Sequence, residues 1–267
     1  MNYDENGLAL LFTYMAKEKE KRANPFGHNR KEPFNKLKNL EEWDLTVFTE
    51  SIDYSKIEDL NLLSRNFDRL KITDEKKLAL LNNEFKYSNF IESIHNDNER
   101  LMRAWVGIED RPLTKQIILS AAKELSPDGA KIRNKKVFLA GGGKVQYTPP
   151  EGVRRLHSKV DKLLKFNFKG IDKWVIPILF HIQYELIHPL SDGNGRTGRL
   201  FFQKQFIDNV GLPCPLLLSE SLYSVKREYY KAINNPVFLV DWKDSINFFL
   251  NILEDVIIDT LNFIESD

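Results

Sequence analysis

Along most of the chain apolar residues recur at three- and four-residue spacing, while glycines and prolines gather between those stretches, which predicts a mainly helical protein. Helices are expected at about 56–67, 75–104, 113–125, 150–165, 172–187, 196–209, 222–234 and 240–264. The last carries Ile246, Phe249, Leu250, Leu253, Ile257 and Leu261 as one stripe, which reads as core rather than interface. The exception lies at residues 135–147, where two β-prone runs flank Gly141, Gly142 and Gly143 and predict a hairpin. Residues 1–45 are polar, basic in places and broken by Ala23-Asn24-Pro25-Phe26-Gly27, so they read as an arm. No internal repeat or low-complexity segment is present.

The stretch from Asp172 to Ile187 puts Trp174, Val175, Ile178, Leu179, Ile182 and Leu186 on one face and should be buried in the middle of a bundle. Pro177 is tolerable there only near the first turn. Pro189 ends the helix, because the residue before a proline disfavours the helical region, and His188 is left at a helix-to-loop junction.

Composition narrows the partners. A length of 267 residues, 42% hydrophobic and 29% charged, is ordinary for a soluble globular protein of one large or two small domains. With 39 Lys+Arg against 38 Asp+Glu the net charge is +1, so no global field collects nucleic acid or coats an anionic membrane, and neither partner is expected. Anion binding must be local. The single cysteine, Cys214, excludes an internal disulfide and a multi-cysteine metal site. Asp4 and Glu5 precede any apolar run, and no stretch of about 18 apolar residues occurs, so a cytoplasmic protein is expected.

The densest chemistry follows the central helix: His188-Pro189-Leu190-Ser191-Asp192-Gly193-Asn194-Gly195-Arg196-Thr197-Gly198-Arg199. Glycines let backbone N–H groups approach an anion, a helix starting there points its positive end at the same anion, and arginines add charge. His188 is the natural general base, since an unperturbed imidazole titrates near ~6.5. Asp192 is a hard oxygen ligand of the kind Mg²⁺ uses beside substrate phosphates. Asn194 can donate to a phosphoryl oxygen, and Arg196 and Arg199, three apart, can address different phosphates of one ligand. A base beside a metal-bound polyphosphate suggests a hydroxyl deprotonated as it attacks phosphorus.

Other readings of the string fail. No G-x-x-x-x-G-K-[ST] occurs, and an EF-hand starting at Asp192 would put Arg196 and Gln203 at its fifth and twelfth positions. His181, Glu185 and His188 have spacing that makes a metal site conceivable, but the order is not H-E-x-x-H, and His181 reads better as a packed core histidine.

The twelve residues resemble the signature of the Fic (Fic/Doc) family, H-P-F-x-[DE]-G-N-G-R-x-x-R, with Leu190 in place of the usual Phe. That change concerns a buried anchor rather than a reacting group. Tyr184-Glu185-Leu186-Ile187 resembles the approach to the family motif, the 135–147 hairpin with Thr148-Pro149-Pro150 resembles its flap, and Tyr229-Tyr230 resembles a downstream aromatic pair. Roughly residues 80–255 are covered. The resemblance implies an all-α fold, a Fic-type helical bundle with one small β-hairpin flap.

It also implies a Mg²⁺-dependent protein adenylyltransferase that moves AMP from ATP to a Ser, Thr or Tyr hydroxyl and releases pyrophosphate. Carried over by position, His188 is the base and Asp192 the metal ligand. Asn194 and Arg196 contact the α- and β-phosphates, Arg199 meets the γ-phosphate, and Gly193 and Gly195 line the anion nest, with Thr197 and Gly198 in the same nucleotide-binding segment. Phe138, Leu139, Ala140 and Gly141 lie in the flap, where an extended target could add as a strand. Tyr229 and Tyr230 border the adenine, the alternative being an ordinary helix face.

Ser88-Asn89-Phe90-Ile91-Glu92-Ser93 resembles the inhibitory motif [ST]-x-x-x-E-[GN] of some Fic proteins, with Ser93 departing at the last position. Glu92 paired with Arg199 would occupy the guanidinium meant for the γ-phosphate and hold ATP unproductively, Ser88 and Glu92 being the two inhibitory residues that the resemblance implies. The expected organisation is an N-terminal helical region at 1–108, with the inhibitory helix at about 86–100, and a catalytic core at 109–267 with the flap at 135–147, packed as one body. The rival functions are Glu92-dependent removal of AMP from modified proteins and a non-catalytic nucleotide-dependent interaction module. Partners would be ATP and a protein target, the chain itself among the candidates; family members often form homodimers.

Overall fold

The computed structural model describes residues 46–126, 130–135, 139–141, 144–147, 156–238 and 242–266. The expected arm at 1–45, Phe138 and Thr148-Pro149-Pro150 lie outside them. After a single helical turn at Thr46–Thr49 come α1 (Tyr54–Ser64), α2 (Asp74–Ile91), α3 (Asn98–Val106) and α4 (Lys115–Leu125). Short polar side chains start three of these: Asp53 accepts from the Ser55 N–H, Thr73 from Lys76 and Thr114 from Ile117, each satisfying a donor that the first turn leaves over. Then follow β1 (Leu139–Gly141), β2 (Lys144–Tyr147), α5 (Leu156–Lys165), α6 (Val175–Ile187) and α7 (Asn194–Gln205). Helix α7 runs on into a π-helical turn, Phe206–Val210, ended by left-handed Gly211. The last helices are α8 (Leu218–Ser224), α9 (Lys226–Phe238) and α10 (Lys243–Glu265).

The mainly helical expectation holds, and β1 and β2 pair antiparallel within the expected hairpin, Gly141 opposite Lys144 and Leu139 opposite Tyr147. Two of the expected helices are each broken in two. The stretch expected at 75–104 stops at Ile91 and restarts at Asn98, because Ser93 (φ 58) and Asn96 (φ 59) turn left-handed. Apolar residues on both sides keep the helical period and hide the break. The stretch expected at 222–234 begins instead at Leu218 and is interrupted at Val225 (φ −116, ψ 36).

Every residue of α6 except Ile176 is buried, as an all-round apolar helix requires, and each large side chain there contributes about 1.5–3 kcal/mol of burial. Around it α7 packs on α6, α3 on α4, and α10 on α1 and α9. Helix α2 packs mainly on α8. Buried Glu84 fastens it, accepting from the Ser219 N–H (2.7 Å) and hydroxyl (2.5 Å). The C-terminal end of α2 meets α7 through Ser88 and Glu92, both of which contact Arg199. Among the described residues no helix is long and apolar enough to cross a membrane.

Candidate active site

The site is built where α6 stops. His188 is buried and left-handed (φ 48, ψ 61), and its N–H donates to the Tyr184 carbonyl at 2.8 Å. Pro189 prevents a further helical turn. Leu190, fully buried, makes an isolated β-bridge with Ile132, so the loop is packed from behind despite the absent Phe. The Asn194 side chain closes the loop by accepting from the Leu190 N–H (2.8 Å) and donating to the Leu190 carbonyl (2.9 Å). Its amide, expected to reach a phosphate, is therefore engaged in shaping the loop. Gly193 (φ 76) provides the left-handed turn that lets α7 begin.

Within α7 the motif residues point in different directions. The Thr197 hydroxyl is inside, donating to the Gly193 carbonyl at 2.8 Å and lying 2.9 Å from the Tyr184 hydroxyl. Arg196, buried, is paired with Asp97 at 2.6 Å and donates to the Leu125 carbonyl at 3.2 Å. Arg199, 1% exposed, donates to the Ser88 hydroxyl (2.9 Å), the Ser88 carbonyl (2.8 Å) and Glu92 Oε1 (3.0 Å). The structure thus brings Ser88 and Glu92 together on Arg199. A Cβ on Gly195 would overlap Glu92 Oε1, so the carboxylate lies against the opening turn of α7. Unpaired N–H groups and the helix dipole favour an anion there, which is where a phosphate is expected.

A second carboxyl sits about one turn further along the same helix. Glu185 Oε1 is buried without a hydrogen-bond partner among the described residues, and a Cβ on Gly198 would overlap it. Glu185 Oε2 is 3.7 Å from His188 Nδ1. Burial pushes the Glu185 carboxyl up to about 8, with Arg199 opposing and Glu92 adding to the rise. Burial, and then the Arg133 guanidinium, push the His188 imidazole down to about 3, so it is neutral over the physiological range. Burial opposes the charge of Arg199, but Glu92 and the neighbouring tyrosine oxygens more than offset it.

Tyr229 is buried, with its hydroxyl 2.9 Å from His181 Nε2, whereas Tyr230 is half-buried beside it, ring centroids 5.4 Å apart. Of the pair, Tyr230 alone has surface to offer a base. His181 is a core residue, fully buried and stacked on Phe202 at 4.4 Å. No group of three or more His, Cys, Asp or Glu side chains among the described residues is placed to hold a metal. Asp192 is exposed on the loop. In the flap, only the backbone of Leu139, Ala140 and Gly141 is described, as strand β1.

Two residues escape sequence reasoning. Arg133 donates through Nε to the His188 carbonyl (2.6 Å) and through Nη2 to the Ile187 carbonyl (3.3 Å). Asp97 reaches Arg196 from the start of α3. Neither belongs to a motif; the only local signal for Asp97 is its place in the cap-like Asn96-Asp97-Asn98.

Comparison with known proteins agrees with the helical fold. Residues 112–206 match the profile of the Fic/DOC family. A probable protein adenylyltransferase of Aquifex aeolicus (strain VF5) is 36% identical over 87 residues, spanning 33% of this chain and 27% of that protein. The fold is similar to that of a Fic family protein from Desulfovibrio desulfuricans G20, with TM-score 0.57 and 17% identity over 92% of this chain and 77% of the other. It is also similar to a Fic domain containing signaling protein from Bacteroides thetaiotaomicron VPI-5482, with TM-score 0.56 and 19% identity over 79% of this chain and 98% of the other. Fic-1 from C. elegans matches with TM-score 0.58 and 17% identity over 81% and 74%.

Proposed function

We propose, from the premise that this chain is a Fic family protein whose Fic/DOC domain lies at residues 112–206, that it transfers AMP from ATP to a Ser, Thr or Tyr hydroxyl of a protein and is restrained by Glu92. The observation that carries the reading is the convergence, at the opening turn of α7, of a base held neutral, a helix end that favours anions, and Arg199. Similarity to the Aquifex protein supports AMP as the group moved.

In this reading His188 takes the proton of the target hydroxyl as that oxygen bonds to the α-phosphorus. The bond from the same phosphorus to its β-bridging oxygen breaks, and pyrophosphate leaves with the electron pair. The N–H groups around Gly193 and Gly195 hold the phosphates. Arg199 takes the γ-phosphate only once Glu92 has withdrawn. One exposed carboxylate, Asp192, suits an Mg²⁺ ion bound jointly with substrate phosphates, where it would neutralise their charge. The β1 edge is the place for an extended target segment.

Intact mass and radiolabel transfer with Mg²⁺ and ATP test the reading on wild type, Glu92→Gly and Glu92→Gly/His188→Ala. Glu92→Gly should label about a hundredfold faster, equivalent to about 2.7 kcal/mol, and the double variant not at all. A Glu92→Gly protein no faster than wild type overturns the restraint. AMP lost from a modified protein with wild type but not with Glu92→Gly would replace transfer by removal, with the partly exposed Glu92 carboxylate orienting water.

A further inference from the structure

We propose that Arg133, outside every motif, is a positioning residue that fixes the backbone on which the base is carried. A left-handed conformation is unfavourable for an L-residue, and a histidine persists in it only where its surroundings over-determine the geometry. Behind His188 that work falls to the segment at 130–135. The Arg133 N–H donates to the Pro189 carbonyl (2.8 Å), and its side chain, 3% exposed, donates to the carbonyls of His188 and Ile187 and through Nη1 to that of Lys135 (3.3 Å). Carbonyls on both sides of the His188–Pro189 peptide are thus held by one residue. Rotation about the His188 backbone breaks the shortest of these bonds, the 2.6 Å contact to its own carbonyl.

The chemistry of the side chain matters. The last carbonyls of α6 have no partner within the helix and carry its negative end, so a cation is favoured there. A guanidinium fork reaches several carbonyls at fixed angles, whereas an ammonium on a flexible stem is a point charge that secures fewer of them. The same cation bears on the imidazole. Among the described residues, the charged and titratable groups acting on His188 include Arg133 from this segment, Glu185 from α6 and Asp192 from the loop, and Arg133 follows only burial in keeping the ring neutral. Arg133 touches no reacting atom and acts through His188. The inference rests on the transfer reading for its rate effect but not for its geometry.

The test therefore has two arms. In the Glu92→Gly background, Arg133→Lys should lower kcat for AMP transfer by about 10–100-fold while leaving KM for ATP within about threefold, since a small misplacement of a reacting group costs rate rather than ligand affinity. Independently of any turnover, the His188 Cα and Cβ chemical shifts, assigned against His188→Ala, should report a left-handed backbone in the wild type and its loss in Arg133→Lys. Arg133→Gln should in addition raise the His188 titration midpoint, which Arg133→Lys, keeping the charge, leaves nearer its original value. Unchanged His188 shifts in Arg133→Lys overturn the proposal, as does a rate loss matched by an equal rise in KM. If Glu92→Gly transfers no AMP, the function reading fails and the shifts alone decide for or against Arg133.

Discussion

Replacing Ser93 by glycine should tighten the restraint. Helix α2 ends with the Ile94 N–H donating to the Asn89 carbonyl and the Ser93 N–H donating to that of Phe90, both at 3.0 Å, the paired bonds of a left-handed helix stop. Ser93, at φ 58, occupies the position where that stop prefers glycine or asparagine, which gives a physical reason for [GN] after the glutamate in the inhibitory motif. A left-handed L-residue costs about 1–2 kcal/mol, and glycine's greater freedom in the released loop returns about 0.5–1 of it, so Ser93→Gly should favour the closed state by about 0.5–1 kcal/mol. Ser93 is exposed, so little side-chain packing is lost. When the released state is a minor population, basal transfer scales with it, and a 2–5-fold slowing follows from about 0.5–1 kcal/mol. Radiolabelled AMP transfer by wild type, Ser93→Gly, Glu92→Gly and Glu92→Gly/Ser93→Gly measures this. A slowing of equal size in both backgrounds, or faster transfer by Ser93→Gly alone, would refute the reasoning.

Two further outcomes concern Glu185. The carboxyl, raised by burial from 4.5 to about 8, binds its proton more tightly folded than unfolded. Its contribution is therefore full below about 4.5 and is lost as pH rises toward about 8, on the order of 5 kcal/mol in all. His181 and His188, lowered to about 3, act on the opposite limb, losing stability as pH falls below 6.5, and are common to both proteins. Urea unfolding of wild type and Glu185→Gln at pH 5 and pH 8 should show the variant gaining on wild type at the higher pH; a pH-independent difference would exclude a buried titrating Glu185. Gly198→Ala forces a methyl onto Glu185 Oε1 and toward the Tyr184 ring, and should destabilise by about 1–3 kcal/mol. Glu185→Ala in the same chain should recover part of that loss by calorimetry, and strict additivity would mean the two do not touch.

What was legible in the sequence was local. The apolar run of α6 and its stop at Pro189 depend on neighbouring residues alone, and His188 at that junction was expected from them. The hairpin followed from glycines between β-prone runs in the same way. The break between α2 and α3 was not legible, because Ser93 and Asn96 are ordinary helix-surface residues until the backbone turns left-handed, and the apolar spacing continues across it. The partners that matter most are far apart in the chain: Arg133 lies 55 residues from His188, and Asp97 lies 99 from Arg196. No periodicity reports such pairs.

The twelve-residue string also divides its labour in a way that residue types alone conceal. Asn194, Thr197 and Arg196 carry chemically attractive side chains, yet each is committed to the loop, to α6, or to Asp97 and Leu125. Their engagement is what allows Gly193 to turn left-handed and α7 to begin with its N–H groups facing the site. In the proposed function the groups that meet a ligand are the backbone of that first turn, Arg199, His188 and the exposed Asp192. Glu92 already sits on the first two of these. In the proposed function a polyphosphate would need the same helix turn and the same guanidinium that Glu92 occupies, and the stability of the α2 stop that carries Glu92 would set how often the phosphate wins. In the proposed function, catalytic restraint is thus a property of one helix end, and a substitution there should act on rate without touching a reacting atom.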